Sequence, residues 1–159
     1  MAQAPSRRAA RAADDHATRS WLSVVRAYNL CDALLARRLG ALGVRTAEHE
    51  ILANLRREPG SSQQALAARC FTAKSHISAL LSDLEQRGLV RREPDPADAR
   101  AKRLFLTAAG ARLAERTAQV QAEVVATMAA AVTASALSQV QAAMSAVSER
   151  LQAELEAGD

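Results

Sequence analysis

Cysteine, histidine and lysine are all scarce in this chain, and no apolar run is long enough to cross a bilayer. Cys31 and Cys70 stand far apart in an otherwise charged sequence. That suits a reducing cytoplasm and argues against a structural disulfide. The start, MAQAPSRRAARAADDH, has no hydrophobic segment and so does not read as a secretory signal. Its Arg and Ala content is that of a transit peptide, but Asp14 and Asp15 count against one. His16, His49 and His76 are scattered over a tail and two helices, a spacing that builds no metal site. Ser75 and His76 are neighbours whose side chains diverge on a helix, with no acid to orient the base, so no enzyme is expected. Only two of the 21 basic residues are lysine, which reflects a genome's codon bias better than a function. No internal repeat is visible. At 159 residues the chain is one domain's worth, enough for a core.

What is present is concentrated in residues 61–106. Ser61 and Ser62 can cap a short helix whose inner face carries Leu66 and Ala67. A break around Cys70–Ala73 follows. Ile77, Leu80, Leu81 and Leu84 then recur at helical spacing, while Lys74, Ser75, His76, Ser78, Ala79 and Ser82 make the opposite face small or polar. Gly88 supplies the left-handed residue that stops this helix, and Leu89 and Val90 return the chain to the core. Two short helices and a tight turn, spanning 62–87, form a helix-turn-helix. A low-profile second helix is what major-groove entry requires, because its backbone must approach the base edges. Val90–Arg92 and Arg103–Leu106 read as strands joined by a connection that Pro94, Asp95, Pro96 and Asp98 keep irregular. Together 90–106 make a charged hairpin, a wing.

The flanks are helical. Trp21, Val24, Val25, Tyr28, Cys31, Leu34, Leu35, Leu39 and Leu42 run at three-and-four spacing over 18–42, broken at Gly40–Gly43. Thr46 caps a further helix, with Ile51, Leu52 and Leu55 inward, ended by Pro59-Gly60. Thr107 begins a long helix striped by Leu113, Val120, Val124, Met128 and Val132. A break near Thr133–Ser135 leads to a last helix with a near-heptad seam of Leu137, Val140, Met144, Val147, Leu151 and Leu155. These stripes exceed what a small winged lobe can cover, so a homodimer is expected, with 18–42 and 107–157 as dimerisation helices. Residues 1–17 read as a flexible basic arm. Residues 60–106 hold eight basic against five acidic side chains, and 107–159 three against six, so the positive charge falls where phosphates would lie. The fold class is mainly α with a small β-hairpin wing.

GLVRR, then DPADAR, then LFLT and Gly110, behind LAARC…HISALLSDLEQRGLV, resemble the MarR family of winged helix-turn-helix regulators over roughly residues 20–155. The family's wing pattern falls on Asp98, Arg100, Leu106, Thr107 and Gly110. The chain departs from it at Ala79 and Ala99, where many members carry Arg. The resemblance implies an α+β winged-helix domain over 18–155 with its DNA-binding lobe at 45–106. It further implies a homodimeric repressor on double-stranded DNA with an inverted-repeat operator, in the cytoplasm at the nucleoid. The expected DNA-contact set is Ser62, Thr72, Lys74, Ser75, His76, Ser78, Ala79, Ser82, Arg92, Asp98, Arg100, Lys102 and Arg103. Within it, Arg100 enters the minor groove, Asp98 orients the guanidinium, and Arg92, Lys102 and Arg103 meet phosphates. Relatives bind a small aromatic acid beside the dimer helices, and Trp21, Arg26, Tyr28, His49 and Arg112 are the residues here that could line such a crevice. No cofactor is implied, and zinc-sensing relatives carry histidines on the helix after the wing that this chain lacks. Two alternatives stand beside this reading. One is a redox sensor working through Cys31; the other is a helical protein-interaction module without specific DNA binding.

Overall fold

The computed structural model describes residues 7–70, 74–96 and 101–158, with side chains described for 15–70, 76–96 and 101–158. The chain divides into two compact units, Met1–Val120 and Gln121–Asp159. In the first, helix α1 runs Arg7–Gly40, 34 residues. It begins eleven residues ahead of the expected Thr18, and so takes in most of the arm that was read as flexible. Residues 7–17 are Arg and Ala for the most part, with neither Pro nor Gly, so nothing in them opposes helix propagation. Only the lower part of α1 is packed: Leu34 and Leu35 are half-buried and Leu39 fully buried. Gly43, at φ 68°, takes the left-handed turn that directs the chain into α2, Thr46–Arg57.

The N-cap of α2 is Arg45, one residue before the expected Thr46. Glu48 stands at the third helical position, and its Oε2 accepts the Arg45 backbone N–H at 2.7 Å, which satisfies an otherwise unpaired donor. Glu48 is 1% exposed. Its Oε1 also accepts from Arg45 Nη2 and from Arg87 Nη1, each at 2.8 Å. Arg87 reaches on to Asp83 Oδ2 at 3.1 Å and to the Gly43 carbonyl at 3.3 Å. One buried carboxylate therefore ties the turn before α2 to the far end of helix α4, Lys74–Gln86.

A two-residue strand β1, Ser61–Ser62, leads into α3, Gln63–Arg69. Ser62 caps α3, its Oγ accepting the Ala65 N–H at 3.1 Å. After α4 come β2, Val90–Pro94, and β3, Lys102–Leu106, each longer than expected. The hairpin pairs Val90 with Leu106 and Arg92 with Leu104. β1 adds to the other edge of β3 through Ser61 and Leu104, so the wing belongs to a three-stranded antiparallel sheet of order β1-β3-β2. Two serines carry no strand pattern, which is why the sequence did not show this edge. Ile51, Leu55, Leu66, Ile77, Leu81, Leu84, Leu89, Val90 and Leu104 form the core, where helices and sheet meet.

The end of α4 is fixed with unusual economy of residues. Gly88 N–H donates to Glu85 O at 2.9 Å and Leu89 N–H to Leu84 O at 2.9 Å, with Gly88 at φ 67°. The Leu89 carbonyl then accepts the Thr107 N–H at 3.0 Å, and Thr107 Oγ1 both donates to Gly88 O at 2.6 Å and accepts the Gly110 N–H at 3.0 Å. Thr107 thus opens α5, Ala108–Ala129. A Cβ at Gly110 would sit 1.9 Å from Leu89 O, so only glycine lets α5 approach this closely.

The second unit holds the end of α5 and helix α6, Ala134–Ala157, capped by Thr133, whose Oγ1 accepts the Ala136 N–H at 3.2 Å. No residue of α6 is buried, and its seam from Leu137 to Leu155 lies open, Leu155 at 74% exposure. Among the described residues no single helix is long and apolar enough to cross a membrane.

Two stability measurements follow. Gly110→Ala should cost about 3 kcal/mol or more, the upper end of overpacking. Gly88→Ala meets open space and only backbone strain, so about 1–2 kcal/mol. Equal urea midpoints for the two variants would contradict the close approach at Leu89. For Glu48, burial alone would raise the carboxyl, but the Arg45 hydrogen bonds and the Arg45 and Arg87 charges outweigh it and hold it below its usual 4.5. Its contribution is therefore complete above pH 4.5 and is lost as pH falls through the lower folded value. Glu48→Gln should lower stability at pH 7 by about 1–3 kcal/mol and flatten the acid limb of the stability curve. Parallel curves for both proteins would show that this carboxylate is not linked to folding.

Candidate nucleic-acid interface

Helix α4 sorts its residues cleanly. Ile77, Leu80, Leu81 and Leu84 are buried against α2, α3 and the sheet, while His76, Ser78, Ala79 and Ser82 are exposed. Ser82 Oγ donates back to Ser78 O at 3.0 Å, which keeps the exposed face lower still. The backbone of Lys74 and Ser75 lies in the first turn of α4. Thr72, Asp98 and Arg100 lie outside the described residues. Ser62 is exposed, but its hydroxyl oxygen is already engaged as the α3 cap.

The neck of the wing is held by the Asp95 N–H on Ala101 O at 3.0 Å and by Arg103 Nε on Asp95 Oδ2 at 2.8 Å. Arg91 pairs with Glu93, and its guanidinium lies 4.8 Å over the Phe105 ring. Arg92 donates to Glu85 Oε2 at 3.1 Å and to Gln63 Oε1 at 3.4 Å. Arg69 is bonded to Glu58 and, at 2.6 Å, to Ser61 Oγ. Among the described residues between 60 and 106, Arg69, Arg87, Arg91, Arg92 and Arg103 are thus paired with carboxylates inside the protein. Lys102 is exposed at the start of β3.

Residue type alone pointed to a phosphate role for Arg92, whereas strand alternation points elsewhere. Val90 faces the core, so Arg92, two residues on, shares its face and reaches toward α3 and α4. Glu48 and Arg87 were absent from the expected site altogether. The only local hint of Glu48 is an acid at the third position of a helix.

The remaining candidates are dispersed. Trp21, Arg26 and Tyr28 lie on the exposed half of α1, Tyr28 at 68% exposure, and Arg112 is exposed on α5. His49 is buried in α2. Cys31 is half-buried on α1. Burial, with Glu50 nearby, pushes the Cys70 thiol up to about 11, so at neutral pH it is a thiol and a poor nucleophile. No group of three or more His, Cys, Asp and Glu side chains that could hold a metal occurs among the described residues.

A family model described as MarR family matches residues 42–101. The transcriptional regulator HosA of Escherichia coli O111:H- is 36% identical over 66 residues, 42% of this chain and 49% of that protein. The chain therefore spans about half the length of the curated relatives it matches. Among solved structures, the MepR–DNA complex of Staphylococcus aureus superposes with a TM-score of 0.73 at 22% identity, over 83% of this chain and 96% of that one. BpsR of Bordetella bronchiseptica, whose DNA binding is regulated by 6-hydroxynicotinic acid, gives 0.71 at 18% identity, over 79% and 89%. At these identities the likeness is one of fold, and the fold is a winged helix-turn-helix. The match lies across α2, α3, α4 and β2, and over these residues the chain is similar to the MarR family.

Proposed function

We propose that the chain is a DNA-binding transcription regulator that acts as a homodimer, with α4 in the major groove and the wing against the neighbouring minor groove. The observation that carries this is the exposed face of α4: small side chains on a helix backed by a rigid core and flanked by a basic hairpin. The curated relatives are named as transcriptional regulators rather than enzymes, and MepR has been solved on DNA. Dimerisation is supported by the open apolar faces, Trp21 and Leu22 on α1 and Leu151 and Leu155 on α6, which a single chain leaves in water.

The finer reading is a repressor released by a small aromatic acid. It is supported by the regulation of BpsR by 6-hydroxynicotinic acid and by Trp21, Tyr28 and Arg26, exposed on one helix where a second chain would enclose them. The operator is an imperfect inverted repeat with half-sites about one helical turn, roughly 10 bp, apart. In the same reading Arg100 enters the minor groove and Asp98 holds its guanidinium.

Selection from a random duplex library should return such a repeat, and the selected duplex should bind far tighter than its shuffled sequence. Equal affinity for the two would favour a helical interaction module instead. Replacing Leu151 and Leu155 with Glu should abolish both self-association and tight binding, because half-sites read separately lose their linkage. A monomeric variant that still binds the full repeat tightly would refute the dimer. Arg100→Ala should cost about 1–3 kcal/mol per contact, more than Arg91→Ala, and the loss should shrink when A·T pairs under the wing become G·C.

A further inference from the structure

We infer that Arg92 is a positioning residue, a brace that sets the angle between wing and recognition helix, rather than a phosphate contact. This rests on the DNA-binding reading above and adds to it the residue that couples its two contact elements.

Three observations converge on Arg92. Its side chain projects from the core face of β2, shared with buried Val90 and opposite buried Leu104, so its stem lies over apolar surface. Its head reaches two elements at once, Glu85 in the last turn of α4 and Gln63 in the first turn of α3. And it is only 28% exposed, against 48% for Arg91 and 44% for Arg103 on the same hairpin. A guanidinium is suited to this because its rigid fork can hold two acceptors in fixed directions, which an ammonium on a flexible stem cannot. The angle between β2 and the end of α4 is thus governed where Arg92 bridges them.

A brace and a phosphate contact predict different behaviour. Losing a phosphate contact from each protomer would reduce the slope of log affinity against log salt by about two. Losing a brace would weaken binding with that slope unchanged. The probe is the duplex selected by the wild-type chain from a random library. Arg92→Ala should bind it roughly two- to hundredfold more weakly, the range of coupling between neighbouring residues, at the wild-type salt slope. Arg92→Lys, which keeps the charge, should lose most of the same affinity. Combining Arg92→Glu with Glu85→Arg should restore much of what either change removes. In the free protein, amide exchange across residues 91–105 should quicken in Arg92→Ala while the global unfolding midpoint moves little.

A salt slope lowered by about two, wild-type affinity in Arg92→Lys, or no recovery in the double reversal would each overturn the brace. So would unchanged exchange in the hairpin. If the library yields no preferred sequence, the DNA-binding reading fails by itself, and the exchange measurement still decides whether Arg92 holds the wing.

Discussion

Leu89 is the point on which the winged lobe depends. Its N–H closes the end of α4 on Leu84 O, its carbonyl accepts the first N–H of the α5 entry at Thr107, and Gly110 packs against that same carbonyl. Its side chain meanwhile joins the core with Val90. Three elements are therefore fixed relative to one residue. Because α4 ends at a defined place, the roll of that helix is set by which residues the core takes. The core takes Ile77, Leu80, Leu81 and Leu84, and the small residues are left outside. The low-profile outer face of α4 is then a by-product of packing. Thr107 and Gly110 have their physical reason here, a cap and a missing side chain serving one junction.

Electrostatics adds a second layer. The lobe's many basic side chains would repel one another if left alone, yet among the described residues Arg69, Arg87, Arg91, Arg92 and Arg103 are matched with carboxylates. Exposed pairs such as Arg91–Glu93 are worth little in water and are cheaply exchanged for a phosphate. The buried Glu48 is different, because removing its guanidinium partners would leave a charge with no water to solvate it. The first kind of pair suits contact with a polyanion, and the second suits architecture. The same residue type thus does two jobs, and burial of the partner decides which.

Much of this lobe was legible in the sequence. The apolar spacing from Ile77 to Leu84 gave the recognition helix its inner face, and Gly88 gave its end. What could not be read has a common cause, dependence on partners distant in sequence. Glu48 and Arg87 are 39 residues apart, and only the fold makes them neighbours. β1 is two serines that become a strand because β3 presents an edge. α1 starts as early as Arg7 because the Ala and Arg of 7–17 favour helix whatever their charge. Arg92 is the instructive case. Its position two residues after Val90 places it on the inward face, where it meets Glu85, a partner that its charge alone does not indicate.

The central claim is that the face of α4 bearing His76, Ser78, Ala79 and Ser82 reads bases in the major groove. Methylation interference on the selected duplex tests it most directly, since a methyl on guanine N7 blocks the major groove and leaves the minor groove free. Binding should be lost when guanines in two patches about one helical turn apart are methylated. A His76 and Ser78 double alanine variant should also lose its discrimination at those positions. Full binding to duplexes methylated throughout both patches would mean that α4 does not enter the major groove.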